Sequence, residues 1–211
     1  MAHTTGAKRT RSEWRADAVK STTLNAGISL WALVIAMACA AGAVSYAAAP
    51  NVVGVLGGCL ALNMILIALY DWRYFIIPNR LNLLGLLLGL VHAGILGSGV
   101  IIQAAGTAMI RGLVTALVFF ALRVLYAALR GRQGLGLGDV KLAVVAGVWL
   151  DWLIIPVAVQ MAALAALSLY LLQHLVTGQS ISTTKRVPFG FFLAPTIWMC
   201  WVLQTLWIAP Y

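Results

Sequence analysis

Apolar residues gather along this chain into long runs separated by short polar breaks. The runs are Leu24–Ala48, Asn51–Tyr70, Leu81–Leu96, Ile110–Leu129, Val140–Leu150, Leu153–Val176 and Val187–Ala209. A helix that crosses a bilayer needs about 20 predominantly apolar residues, somewhat fewer where neighbours shelter it. Val140–Leu150 is too short to cross unaided. The stretch Gly97–Met109 is polar enough to predict a loop or an interfacial segment. The pattern predicts an all-α, polytopic helical membrane protein with six to seven transmembrane helices. No soluble domain, repeat or low-complexity linker separates the runs.

Composition sharpens this. Of 211 residues, 63% are apolar and 9% charged, and the mean hydropathy is +0.98, whereas a soluble domain carries about 25% charged residues. Lipid must therefore be the solvent. The net charge of +9 is unevenly spread. Lys8, Arg9, Arg11, Arg15 and Lys20 precede the first run, which exceeds the ~7–15-residue core of a signal peptide and reads as a span. With that basic tail in the cytoplasm, alternate crossings return Arg73 and Arg80, then Arg130 and Arg132, then Lys185 and Arg186 to the same side, as the positive-inside rule requires. Arg111 alone falls near the outer side. Arg111 and Arg123, both in the fourth run, are expected to snorkel in opposite directions. The organisation expected is a basic cytoplasmic tail over 1–23, an extra first helix over 24–48 and a helical core over 51–209.

The three cysteines, Cys39, Cys59 and Cys200, all lie in apolar runs. None forms a CxxC pair or stands near a histidine at metal-ligand spacing, so no disulfide, metal or other cofactor is expected. His3, His92 and His174 are scattered and read as structural.

Five acids exist in the chain. Glu13 and Asp17 belong to the basic tail; Asp71, Asp139 and Asp151 stand at membrane boundaries, where an unpaired carboxylate is costly and functional by default. Asp71 and Asp139 share one depth on the cytoplasmic face, and Asp151 caps the opposite end. Position alone leaves two readings of the shared pair open. Each acid could anchor a helix end by pairing with Arg73, Arg80 or Lys141. Alternatively, two close carboxylates share one proton, so that one activates water while the other protonates a carbonyl.

Ahead of the second acid runs Gly134-Leu135-Gly136-Leu137-Gly138. Such glycines permit close helix approach. A plain flexible loop is the bland alternative, and a phosphate loop lacks its strand and its spaced lysine. Lys141 reads either as a substrate contact or partner to Asp139, or as a side chain reaching the lipid headgroups.

Gly136-Leu137-Gly138-Asp139 resembles the GxGD motif of intramembrane aspartyl proteases. Its continuation through Val140-Lys141-Leu142 to Gly147 and Trp149 is similar to the type IV prepilin peptidase family. Asp71, followed by Ile77-Pro78-Asn79-Arg80-Leu81, resembles that family's first acidic block, and Val187-Pro188-Phe189-Gly190 resembles its third, although Phe191-Phe192 departs from the usual proline-containing continuation. The resemblance implies an aspartic endopeptidase of the inner membrane. It would cleave the leader of pilin or pseudopilin precursors at the cytoplasmic face, with Asp71 and Asp139 catalytic. Gly136, Gly138, Lys141, Pro78, Asn79, Pro188 and Gly190 would shape the site. Partners would be prepilin-like precursors and membrane lipids, with no nucleic acid; the oligomeric state is open. Larger members carry CxxC pairs and also N-methylate the product, and this chain resembles the short, peptidase-only members, so methyl transfer is not expected. Two other classes compete: a non-catalytic scaffold of a pilus or secretion system, and a small transporter, which would place its acids near the midplane of repeated halves.

Overall fold

The structure, a computed structural model, describes residues 31–97, 100–131, 134–177 and 188–207. The basic stretch 1–23, the start of the run from Leu24, and Arg132, Lys185, Arg186 and Val187 lie outside the described residues. The chain divides into two compact units, Met1–Cys39 and Ala40–Tyr211. In the first, the described residues are the beginning of helix α1 (Trp31–Ala48). The second holds the rest of α1 together with α2 (Val52–Tyr74), α3 (Asn79–Leu96), α4 (Ile101–Arg130), α5 (Leu137–Trp149), α6 (Ile154–Thr177) and α7 (Phe189–Trp207).

Among the described residues the regular structure is entirely helical, without a strand. Six of the helices, all but α5, are long and apolar enough to cross a bilayer, and the chain is a multi-pass membrane protein. The 13 residues of α5 extend only about 20 Å, against a hydrocarbon core of about 30 Å. Protein rather than lipid surrounds this short helix: α5 packs on α3, α4 and α7, and α7 in turn packs on α2 and α6. From Leu142 to Leu150 only Val144 is not fully buried.

Local chemistry sets the boundaries. Asn51 caps α2 by accepting the Val53 N–H at 2.8 Å, as an N-cap side chain does. The buried positions Val53, Gly57, Leu60, Met64, Ile67 and Asp71 recur every three or four residues, so one face of α2 is turned inward and Asp71 closes it. Phe75 ends the helix in the left-handed region (φ 54°) and donates its N–H to the Asp71 carbonyl, an arrangement usually given to glycine. Three residues later Pro78 (φ −64°) precedes α3 and starts a new direction.

The fourth helix departs from expectation. It begins at Ile101, so most of the stretch read as a loop or interfacial segment is helical. Gln103, Gly106 and Thr107 lower the hydropathy there without breaking a helix: the Thr107 hydroxyl bonds back to the Ala104 carbonyl, and Val100 accepts from the Gln103 and Ala104 amides.

Glycines set the closest approaches. A Cβ on Gly147 would lie 2.6 Å from Thr115 Oγ1 and 2.7 Å from the Arg111 carbonyl, and one on Gly112 would lie 2.8 Å from the Val144 carbonyl. The backbones of α4 and α5 therefore touch. Gly147→Val is expected to destabilise the protein by about 1–3 kcal/mol or more, the overpacking range. Gly106→Ala, whose added methyl meets open space inside a helix, is expected to raise stability by up to about 1 kcal/mol. Thermal unfolding midpoints in lipid nanodiscs check both.

Candidate active site

The inward stripe of α2 carries Asp71 to the end of the bundle where α3, α5 and α7 begin. The residue is 6% exposed. Oδ2 accepts the Phe191 N–H at 2.9 Å, from the first turn of α7. The first amides of a helix have no partner within it, and the dipole there favours negative charge, so a carboxylate is held where hydrocarbon alone would exclude it. Gly190 makes the contact possible. A Cβ at that position would lie 2.9 Å from Asp71 Oδ2 and 2.8 Å from Ile77 Cδ1.

Asp139 is held in a similar way at the start of α5. It is 7% exposed, and its Oδ2 accepts the Gly136 N–H at 3.1 Å, an N3 acid reaching back to the N-cap amide. Gly138 backs onto Ile77, whose carbons lie 3.2–3.3 Å from where its Cβ would stand. Ile77 thus sits against both glycines, Gly138 beside one acid and Gly190 beside the other.

The remaining expected residues gather nearby in differing roles. Pro78 and Asn79 open α3. Lys141 donates from Nζ to Asn79 Oδ1 at 2.8 Å, and Asn82 Nδ2 donates to the Lys141 carbonyl at 2.9 Å, so this lysine ties α5 to α3. Pro188, half-buried, leads into Gly190 at the start of α7. Among the described residues neither acid forms an ion pair with Arg73, Arg80 or Lys141, and the ion pair present is Arg111–Asp151 at 2.9 Å. Asp151 is therefore a paired carboxylate at the far end of α5. His92 is buried there too, stacked on Trp149 with centroids 4.6 Å apart and accepting from Trp201 Nε1 at 3.1 Å. A cavity of about 280 Å³ beside it, bordered by Arg111, Asp151 and Gln204, is remote from the two acids.

Sequence reasoning did not single out Ile77 or the Phe191 amide. Ile77 stands inside the quoted Ile-Pro-Asn block, which was the available signal. A backbone N–H leaves no trace in residue type. The Phe191 ring packs at a tilt against Trp72, with centroids 4.9 Å apart, which seats the start of α7 on the last turn of α2.

A helical membrane bundle that buries one acid at the end of a spanning helix and another at the start of a short internal helix is the architecture these observations define. Comparison with known proteins is consistent with it. The type IV leader peptidase family matches residues 58–171, and the chain belongs to that family. It is 30% identical over 140 residues to a leader peptidase, HopD, of Escherichia coli, covering 66% of this chain and 85% of that protein. It is 30% identical over 142 residues to a prepilin leader peptidase/N-methyltransferase of Aeromonas hydrophila, covering 66% of this chain and 47% of the relative. Against the Escherichia coli K12 protein of the same description, identity is 29% over 161 residues, 74% of this chain and 67% of that one. The chain spans about half the length of the Aeromonas relatives it matches. No solved structure matches.

The two glycines are expected to differ in sensitivity. Gly190→Ala pushes a methyl against Asp71 itself, and its cleavage of a precursor in membranes is expected to fall roughly 10- to 100-fold, the scale of a small misplacement. Gly138→Ala meets only the Ile77 side chain, which can give by a few tenths of an ångström; it is expected to lose less than Gly190→Ala in the same assay.

Proposed function

We propose that this chain is a membrane-embedded aspartic endopeptidase that removes the leader of type IV prepilin-like precursors, pilins or pseudopilins, at the cytoplasmic face of the bacterial inner membrane. The single observation that carries the reading is that Asp71 and Asp139, from separate helices, are both buried, each accepting a backbone amide and each beside a glycine that packs on Ile77. Membership in the leader peptidase family supports the reaction class. Orientation follows from charge: the acid end also carries Arg73, Arg80, Arg130 and Lys141, whereas Arg111 lies at the other end, the asymmetry expected with that face and the N-terminus inside.

The chemistry divides between the two carboxyl groups. One oxygen of each is occupied by a backbone N–H, and the other works on the substrate. The pair holds one proton between them. The ionised member takes a proton from a bound water as its oxygen attacks the scissile carbonyl carbon, while the protonated member gives its proton to the carbonyl oxygen. Collapse of the resulting diol breaks the C–N bond and returns a proton to the leaving amine. The substrate's apolar segment docks from the lipid, and its basic leader stays in water. Its local helix opens at a depth where hydrocarbon offers no hydrogen-bond partner; the non-helical backbone at Phe75–Pro78 and ahead of Gly136 supplies polar groups there. Gly136 and Gly138 add no side chains of their own to the approach to Asp139. The Lys141–Asn79 bridge, with Pro78, fixes the wall opposite, and Pro188 and Gly190 set the start of α7 against Asp71.

Asp71→Asn and Asp139→Asn are each expected to lower precursor cleavage by about 10²–10⁴-fold, the worth of general acid–base catalysis. The double variant is expected to be no worse than either single one, because the two groups act as a unit. The assay follows processing of a prepilin-like precursor in membranes at equal enzyme levels. Full processing by either single variant rules out the dyad, and absence of processing by the parent chain itself leaves the scaffold reading in its place.

A further inference from the structure

Two of the three arginines of α4, Arg111 and Arg123, are turned to protein rather than to the membrane surfaces. Arg111 donates from Nε to the Gly147 carbonyl at 2.7 Å, from Nη1 to Asp151 Oδ1 at 2.9 Å and from Nη2 to the Val148 carbonyl at 3.3 Å. These carbonyls belong to the last turn of α5, where intrahelical partners run out. The Asp151 amide, next in line to bond Gly147, is instead given to Gln204 Oε1 at 2.8 Å. Arg123, twelve positions further along, donates from Nη1 to the Leu135 carbonyl at 2.6 Å. Twelve residues of helix rise about 18 Å, and the 13 residues of α5 about 20 Å, so one helix grips both ends of the other. The glycine contacts of Gly112 and Gly147 lie near one end of that span.

The Arg123 contact has a specific consequence. The Leu135 carbonyl and the Gly136 N–H belong to one planar peptide group. Arg123 holds its oxygen and Asp139 Oδ2 receives its hydrogen. Rotating that plane would release both, and a cation on the oxygen strengthens the N–H as a donor.

We propose that Arg111 and Arg123 are positioning residues. Together they fix the depth and rotation of α5, and Arg123, acting through the Leu135–Gly136 peptide, orients the Asp139 carboxylate. This rests on the dyad reading above for its bearing on catalysis, but not for its geometry. At Arg111 a lysine cannot reproduce it, because a point charge lacks the planar fork that serves three acceptors at once, and at Arg123 it lacks the rigid plane that aims Nη1 at the Leu135 carbonyl.

The test uses the full chain in lipid nanodiscs. Arg111→Lys and Arg123→Lys are each expected to lower kcat for a prepilin-like precursor roughly 10- to 100-fold. KM and the unfolding midpoint should stay near those of the parent, since the loss falls on the transition state. Arg130→Lys, at the exposed end of α4, is expected to keep the parent kcat. A second readout needs no activity: in a chain with Cys39, Cys59 and Cys200 replaced by serine, Asp71→Cys and Asp139→Cys are joined by a short bifunctional thiol reagent. Adding Arg123→Lys is expected to reduce the joined fraction severalfold. An unchanged kcat in either lysine variant, a loss carried by KM or by a lowered midpoint, or undiminished cross-linking overturns the proposal. Cleavage that survives Asp71→Asn or Asp139→Asn would instead sink the dyad, and the cross-linking would still decide whether the arginines position α5.

Discussion

A carboxylate within an apolar bundle survives only where the fold supplies it with donors, and this bundle does so from helix beginnings. Asp71 takes the Phe191 amide of α7 and Asp139 takes the Gly136 amide ahead of α5. Both amides are among those a helix cannot satisfy internally, so one arrangement meets two needs of the same segment. Much of the surrounding structure follows from this requirement. Gly190 must lack a side chain for α7 to come so near to Asp71, Ile77 must fill the space between the two glycines, and the Phe75–Pro78 turn must bring Ile77 there.

The same requirement explains why α5 is short and central. Its non-helical flanks would be intolerable in lipid, but α3, α4 and α7 surround the helix, and side chains from α4 and α7 bond what its ends leave open. Close backbone contact through Gly112 and Gly147 brings α4 within reach to do so. The far end of α5 is a polar island of its own, built from Arg111, Asp151, Gln204 and His92, and it holds the helix from the side away from the acids.

A good part of this was legible in the residues. The apolar runs located the helices, and the rarity of acids made Asp71 and Asp139 stand out. The run over Gly97–Met109 misled because hydropathy measures preference for lipid, whereas helix continuity depends on the absence of breakers, and Gln103 and Thr107 are not breakers. Arg111, Arg123 and Lys141 misled for a related reason. A long basic side chain near a span end has headgroups as its default destination, and only the neighbouring helix shows whether a carbonyl or an amide oxygen lies nearer.

What the amino-acid order determined by itself is the class: a helical protein dissolved in lipid, with its few charges at the helix ends and its acids in glycine- and proline-broken contexts that match the leader peptidase family. Those properties depend on composition and short spacing, which survive without coordinates. Which face of each helix turns inward was left to the tertiary structure, because a helix apolar all round, such as α2 or α7, carries no periodic signal to say. The partners of the acids were settled there as well. Backbone amides and carbonyls do that work here, every residue except proline carries both, and only the packing of one helix against another selects which of them meet a charge.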